Sequence, residues 1–200
     1  MVMIVGTCKL RRVISVDNDS KAADDSQLIA EARSNPAVFV QLYHRHYDAV
    51  FRYCVHRLFE RTAAEDVTSE VFLKAVENIH RFRGNEQQFR NWLYRIATNA
   101  VNNYLRKASR RNNVLKIASE QANSEVADCG ESTEKLTLLR EAMLALKPRY
   151  QTIITLRFFE NLKMIEIAEV LGSSPGTVRS QLARALARLR NKIASAQQET

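Results

Sequence analysis

"MIEIAEVLGSSPGTVRSQLARALARLR", Met164 to Arg190, contains two short helical patterns that meet at a Gly-Ser-Ser-Pro break. Ile165, Ala168 and Leu171 fall at helical spacing, and Gly172 can take the left-handed conformation that ends a helix. Ser174 then caps a second helix whose first residue, Pro175, has no N–H to leave unsatisfied. Val178, Leu182, Ala185, Leu186 and Leu189 form one apolar stripe on that helix. Its other face carries Gly176, Thr177, Ser180, Ala183, Arg184 and Ala187, flanked by Arg179 and Arg190. Small residues with a few arginines let a helix approach a surface closely and hydrogen-bond to it, as a recognition helix in a DNA major groove must. An αα-hairpin with its arginines in solvent has the same spacing, so this segment alone leaves both readings open.

Composition favours a polyanionic partner. The 200 residues include 30 Lys and Arg against 22 Asp and Glu, a formal net charge of +8. With 46% hydrophobic residues but only 5 Gly and 3 Pro, long helices are expected over many turns, in two small domains. Cys8, Cys54 and Cys129 lie far apart without CxxC spacing, which suggests a reducing compartment. His44 and His46 point to opposite sides of a helix, so no metal site is expected. There is no phosphate loop and no nucleophile paired with a base. The reading is therefore a protein without cofactor or enzymatic activity. No apolar run approaches membrane-span length, and the opening residues are too short and poorly ordered for a signal peptide. A cytoplasmic protein without membrane insertion is expected.

Along the chain, residues 1–25 read as a tail, and helical periodicity begins near Ser26. A long helix follows Pro36, with Phe39, Tyr43, Tyr47, Val50, Cys54 and Leu58 on one face. Thr62 and Glu65 have capping-box spacing and open a helix through about His80. That helix buries Val67, Val71, Ala75 and Ile79 and turns Glu65, Asp66, Ser69, Glu70 and Glu77 outward. A fourth helix is expected from Phe89 to Ser109, its core stripe running from Phe89 through Leu93, Ile96, Ala97 and Ala100 to Tyr104. Beside that stripe lie Arg95, Asn99, Asn102, Asn103 and Arg106. Asparagine is worse than alanine in a helix interior by roughly half a kcal/mol, so three of them in five residues need a reason other than packing. Asparagine edges and arginines near an exposed Trp92 suit unstacked bases and phosphates. Residues 112–133 lose the apolar rhythm, turn acidic, and read as a flexible linker. Helical patterning resumes near Glu134, and a helix opened by Pro148 carries Ile153, Ile154, Leu156 and Phe158.

"AAEDVTSEVFLKAVENIHRFR" followed by "FRNWLYRIATNAVNNYLRKASRR" resembles region 2 of the bacterial sigma factors of the extracytoplasmic-function group. "LKPRYQTIITLRFFENLKMIEIAEVLGSSPGTVRSQLARALARLR" is similar to their region 4. The resemblance implies an all-α protein of two helical domains. These are a region 2 bundle over residues 26–111 and a region 4 helix-turn-helix over 134–193, with a tail at 194–200.

It also implies a transcription initiation factor with core RNA polymerase, promoter DNA and an anti-sigma factor as partners. By match, Glu65, Asp66, Glu70 and Phe72 sit on the helix that binds core polymerase. Asn99 and Asn103 are the matching base contacts at the −10 element, with Asn102 beside them. Arg95, Arg106, Arg110 and Arg111 follow phosphates, and the loop from Arg83 to Gln88 would receive a flipped base. Thr177, Arg179, Ser180 and Arg184 match the positions that read the −35 duplex. Two readings without polymerase stand against this one. They are a helix-turn-helix regulator acting alone, which leaves the asparagine row unexplained, and a basic RNA-binding protein.

Overall fold

The computed structural model describes residues 26–118 and 131–198, apart from the side chains of 111–118, 131–136 and 196–198. The expected N-terminal tail, the middle of the expected linker, Cys8 and Cys129 lie outside the described residues. Among the described residues there are helices and no strand.

The first domain begins with α1, residues 26–32, which buries Leu28, Ile29 and Ala32. A 3₁₀ turn at Pro36–Val38 follows, capped by Asn35, whose Oδ1 accepts the Ala37 N–H at 3.1 Å. It leads into α2 (Phe39–Leu58), α3 (Arg61–Asn78) and α4 (Glu86–Ala118), which pack against one another pairwise. The apolar spacing of α3 acts as expected: Val67, Val71, Ala75 and Ile79 are all buried. Each such large aliphatic side chain contributes about 1.5–3 kcal/mol when removed from water. On α2 the buried row is Phe39, Leu42, His46, Val50, Tyr53, Cys54 and Arg57, while Tyr43, Tyr47 and Leu58 are half-covered at its edge. Cys54 is a buried free thiol whose pKa burial pushes up to about 11, so it packs as a small apolar group.

The helix starts differ from the spacing-based expectation. Thr62 lies inside α3, whose N-cap is Glu60 with no side-chain cap bond. Glu65 instead accepts from Arg61 Nε at 2.9 Å, an i,i+4 pair on the exposed surface. The reciprocal capping box is at the next helix. The Asn85 side chain accepts the Gln88 N–H at 2.9 Å, and the Gln88 side chain accepts the Asn85 N–H at 3.0 Å. α4 consequently begins at Glu86, ahead of Phe89, and it continues to Ala118, beyond the expected end at Ser109. The start of the expected linker is thus helical, and its last residues belong to α5 (Glu131–Leu144).

The second domain comprises α5, α6 (Pro148–Ile154), α7 (Met164–Leu171) and α8 (Pro175–Gln198). α8 therefore takes in most of the expected C-terminal tail. Between α6 and α7 the backbone widens into a π segment, Thr155–Phe159, closed by the Glu160 N–H donating to the Thr155 carbonyl at 3.2 Å. The wide turn buries Leu156 but leaves Phe158 54% exposed.

The α7–α8 turn follows its sequence. Gly172 has φ +58°. The Ser173 N–H donates to the Ala168 carbonyl at 2.8 Å and the Gly172 N–H to that of Glu169 at 3.3 Å, which together form a Schellman motif. Ser174 Oγ accepts the Thr177 N–H at 3.1 Å, with Pro175 at the first helical position.

Gly172→Ala meets no atom within 4 Å, so its whole effect is backbone strain, and it should lower stability by roughly 1–2 kcal/mol in thermal denaturation. Gly176→Ala, inside α8 with only Ser174 Oγ near its new Cβ, should shift stability the other way.

Candidate nucleic-acid interface

α8 is held by its apolar side. Val178, Leu182 and Ala185 are buried, and Thr177, Arg179, Ser180 and Arg184 are all exposed on the opposite side. Arg149, at the start of α6, braces the pair: its Nε donates to Gln181 Oε1 at 2.7 Å and its Nη2 to Ser173 Oγ at 2.6 Å. The Thr177 and Ser174 hydroxyls are 2.8 Å apart, and Ser180 Oγ donates to the Thr177 carbonyl. The Arg188 guanidinium lies over the Tyr150 ring, 5.4 Å from its centre. The result is a rigid helix with a small-residue face and two outward guanidinium groups, the shape a major groove admits.

The asparagine row on α4 divides. Arg95, Asn99, Arg106 and Arg110 are exposed, while Asn102 and Asn103 are half-buried. Asn103 Oδ1 accepts from Arg106, one turn on. Asn102 faces the protein, its Oδ1 accepting from Arg57 Nη2 at 3.1 Å. The Arg111 side chain lies outside the described residues. Trp92 is half-buried, not exposed, packed 5.2 Å from Phe82 and 5.6 Å from Phe89 between ring centres. The loop before α4 is shorter than the expected Arg83–Gln88, because Glu86 to Gln88 form the first helical turn and Gln88 is engaged in the cap.

On α3, Glu65, Asp66 and Glu70 are exposed in a row, and Glu70 pairs with Lys74. Phe72 does not share that surface. It is 4% exposed, edge-on to Tyr43 at 4.8 Å, and the apolar residue that does reach solvent is its neighbour Leu73, 58% exposed.

Spacing alone does not reveal that the two domains meet. α4 contacts α7, and α2 contacts the π segment. Arg57 on α2, 1% exposed, donates through Nη1 to Gln151 Oε1 on α6 at 2.5 Å. Asn91 on α4 donates to Glu169 on α7 at 2.6 Å, and the Tyr94 hydroxyl donates to Glu160 at 2.7 Å. Ion pairs flank these bonds, Arg52 to Glu160 at 3.8 Å and Arg90 to Glu166 at 3.7 Å, and the His56 ring sits 4.1 Å from that of Phe159. Between the domains is a cavity of about 400 Å³ lined by Arg95, Asn99 and Asn102 on one side and Arg149, Thr152 and Leu171 on the other. The seam is imperfectly satisfied, since Arg57 Nε, Arg90 Nε and Glu160 Oε1 are buried without a partner. Each such group disfavours the closed packing by about 1–3 kcal/mol. Burial pushes the Glu160 carboxyl above its ordinary range, although the Tyr94 hydroxyl and the Arg52 and Arg90 charges pull it down. Burial, then the nearby Glu160 charge, raises the Tyr94 phenol.

Family profiles match both halves: Sigma-70 region 2 over residues 42–111 and Sigma-70, region 4 over residues 136–189. The chain belongs to the ECF sigma factors of RNA polymerase. It is 34% identical to the ECF RNA polymerase sigma factor BldN of Streptomyces coelicolor, over 86% of this chain and 67% of that protein. It is 38% identical to an ECF RNA polymerase sigma-E factor of Haemophilus influenzae, over 68% of this chain and 78% of that one. Among solved structures, CnrH in complex with the cytosolic domain of CnrY shares the fold. The TM-score is 0.64 at 24% identity, covering 86% of this chain and 97% of that one. As a sigma factor, this ECF protein is a non-enzymatic initiation subunit that directs RNA polymerase to promoters. Groups of His, Cys, Asp and Glu able to hold a metal are absent among the described residues.

A buried carboxyl with a raised pKa favours the closed packing when protonated, so that contribution is present at low pH and is lost as pH rises through the raised value. Glu160→Gln keeps an acceptor for Tyr94 and removes the charge. Thermal melts should show the variant more stable than the parent near neutral pH, with the gap closing on acidification.

Proposed function

We propose that this ECF sigma factor reads the −35 duplex through Thr177, Arg179, Ser180 and Arg184 on α8. The −10 non-template strand would be held along α4 by Asn99 and Asn103, with Arg95, Arg106 and Arg110 on its phosphates. The carrying observation is that α8 turns all four residues outward on a helix whose opposite side is locked into the core. The exposed row Arg95, Asn99, Arg106 and Arg110 supports the strand surface. Asn102 belongs to this surface only through its contact with Arg57, which orients its amide.

Core polymerase docks on the acidic face Glu65, Asp66 and Glu70 of α3, with exposed Leu73 in the apolar role and Phe72 supporting it from beneath. The functional division is residues 26–111 for polymerase and −10, and 134–193 for −35, joined by 112–133. An anti-sigma factor regulates the protein. Supporting this, one solved neighbour is a Bartonella quintana RpoE in complex with the anti-sigma factor NepR. The protein acts in the cytoplasm. Among the described residues no helix is long and apolar enough to cross a membrane.

Strand separation needs a few kcal/mol per flipped base, which strand capture along α4 offsets. Asn99→Ala with Asn103→Ala should leave polymerase binding intact and block melting, read by permanganate footprinting of −10 thymines on a promoter selected by run-off transcription. Normal melting by the double variant would mean that both asparagines are surface residues only. Asp66→Lys with Glu70→Lys should abolish co-purification with core polymerase while circular dichroism stays unchanged. Retained binding would mean that this acidic face serves solvation alone.

A further inference from the structure

We propose that the cavity between α4, α6 and α7 is a binding site for a phosphorylated nucleoside, its phosphate held by Arg95 and Arg149. The site shares Arg95 and Asn99 with the −10 surface proposed above but does not depend on that reading. Three observations carry it.

The first is charge without a counter-ion. Arg95 and Arg149 line the cavity from opposite sides, and no Asp or Glu is among the lining residues. Behind the α4 wall stands Arg57, 1% exposed, whose Nη2 donates to the lining residue Asn102 at 3.1 Å. Among the described residues Arg57 makes no ion pair, and both of its acceptors are neutral amides. Cations this buried are ordinarily paired, so a space bordered by three guanidinium groups calls for an anion.

The second is a set of donors left free. Arg95 and Asn99 make no side-chain hydrogen bond or ion pair among the described residues. Arg149 spends Nε on Gln181 and Nη2 on Ser173 and keeps Nη1. Guanidinium donors match phosphate oxygens in geometry as well as in charge. The Asn99 amide adds a donor and an acceptor, the two functions that a base edge requires.

The third is size and lining. The cavity volume of about 400 Å³ falls within the roughly 300–1,000 Å³ of small-molecule sites, more than a bare phosphate fills. Pro148, Val170 and Leu171 give it an apolar side, against which the flat face of a base can lie. A phosphate carried on a nucleoside uses both sides. The nucleotide is either free or one unit of a strand, and the chemistry of recognition is the same.

The test uses the full chain. The nucleoside 5′-monophosphates, the matching nucleosides and inorganic phosphate are titrated by calorimetry at one fixed ionic strength. At least one monophosphate should bind saturably, with its nucleoside and inorganic phosphate each weaker by about tenfold or more. Arg95→Gln and Arg149→Gln should each weaken that monophosphate by roughly tenfold, the loss of one charge-assisted hydrogen bond. Because the Arg95 side chain bonds to nothing among the described residues, its replacement leaves the fold intact. Arg149→Lys should recover only part of the loss, and Lys192→Gln, which removes a charge outside the cavity, should change nothing.

A labelled thymine-rich single strand separates the two sources. Arg149→Gln should weaken the strand along with the monophosphate if the occupant is a strand nucleotide, and the monophosphate alone if it is free. No saturable binding of any monophosphate would overturn the inference, and so would binding that both glutamine variants leave unchanged. Inorganic phosphate bound as tightly as every monophosphate would overturn it too, since the site would then take an anion alone. The −10 reading is decided separately, by promoter melting with Asn99→Ala and Asn103→Ala.

Discussion

The Arg57 guanidinium is almost wholly removed from water, and a buried cation of this kind is tolerated only where neutral acceptors surround it. Its two acceptors come from Asn102 on α4 and Gln151 on α6, residues far apart in the chain. Gln151 in turn donates to the carbonyls of Leu144 and Leu146, at the end of α5, so the same network fixes the entry to the second domain. Among the described residues both hydrogen-bond acceptors of Arg57 are neutral amide oxygens, and it makes no ion pair there. The arrangement of the two domains follows from accommodating this one side chain.

The helices were legible in the sequence to the extent that local physics sets them. Gly172, Ser174 and Pro175 act through their own backbone, so the turn they encode formed with the expected hydrogen bonds. The apolar rhythm of α3 likewise survived intact. Capping was less legible, because Thr62 and Glu65 have the spacing of a box while the chain enters α3 two residues earlier, with Glu60 at the N-cap. The reciprocal pair that did form, Asn85 with Gln88, lies in a stretch without apolar periodicity to mark it as helical. The π turn at Thr155–Phe159 left no mark in the spacing, because a 3.6-residue period does not apply across it.

The candidate surfaces divide along the same line. The α8 row depends on one helix and its turn, and the sequence placed all four residues on the exposed side. The α4 row depends on what packs beside it, so periodicity grouped Asn102 with its neighbours without revealing that Arg57 turns it inward. Arg57 itself offered a signal. It continues the buried spacing of Val50, Tyr53 and Cys54, and a cation on an apolar stripe marks a second layer covering it.

The widened turn at Thr155–Phe159 also bears on how this fold tolerates changes in length. The extra residue accommodated there advances everything before it by about 100° relative to an uninterrupted α-helix. That rotation keeps Glu160 facing Tyr94 while the two phenylalanines face out. A chain lacking one residue in this stretch would keep the Gly172 turn and the start of α8, which are held by their own caps. Its carboxylate would no longer point at the first domain. Length at this one position therefore sets whether the Tyr94–Glu160 contact between the domains can form, independently of the residues around it.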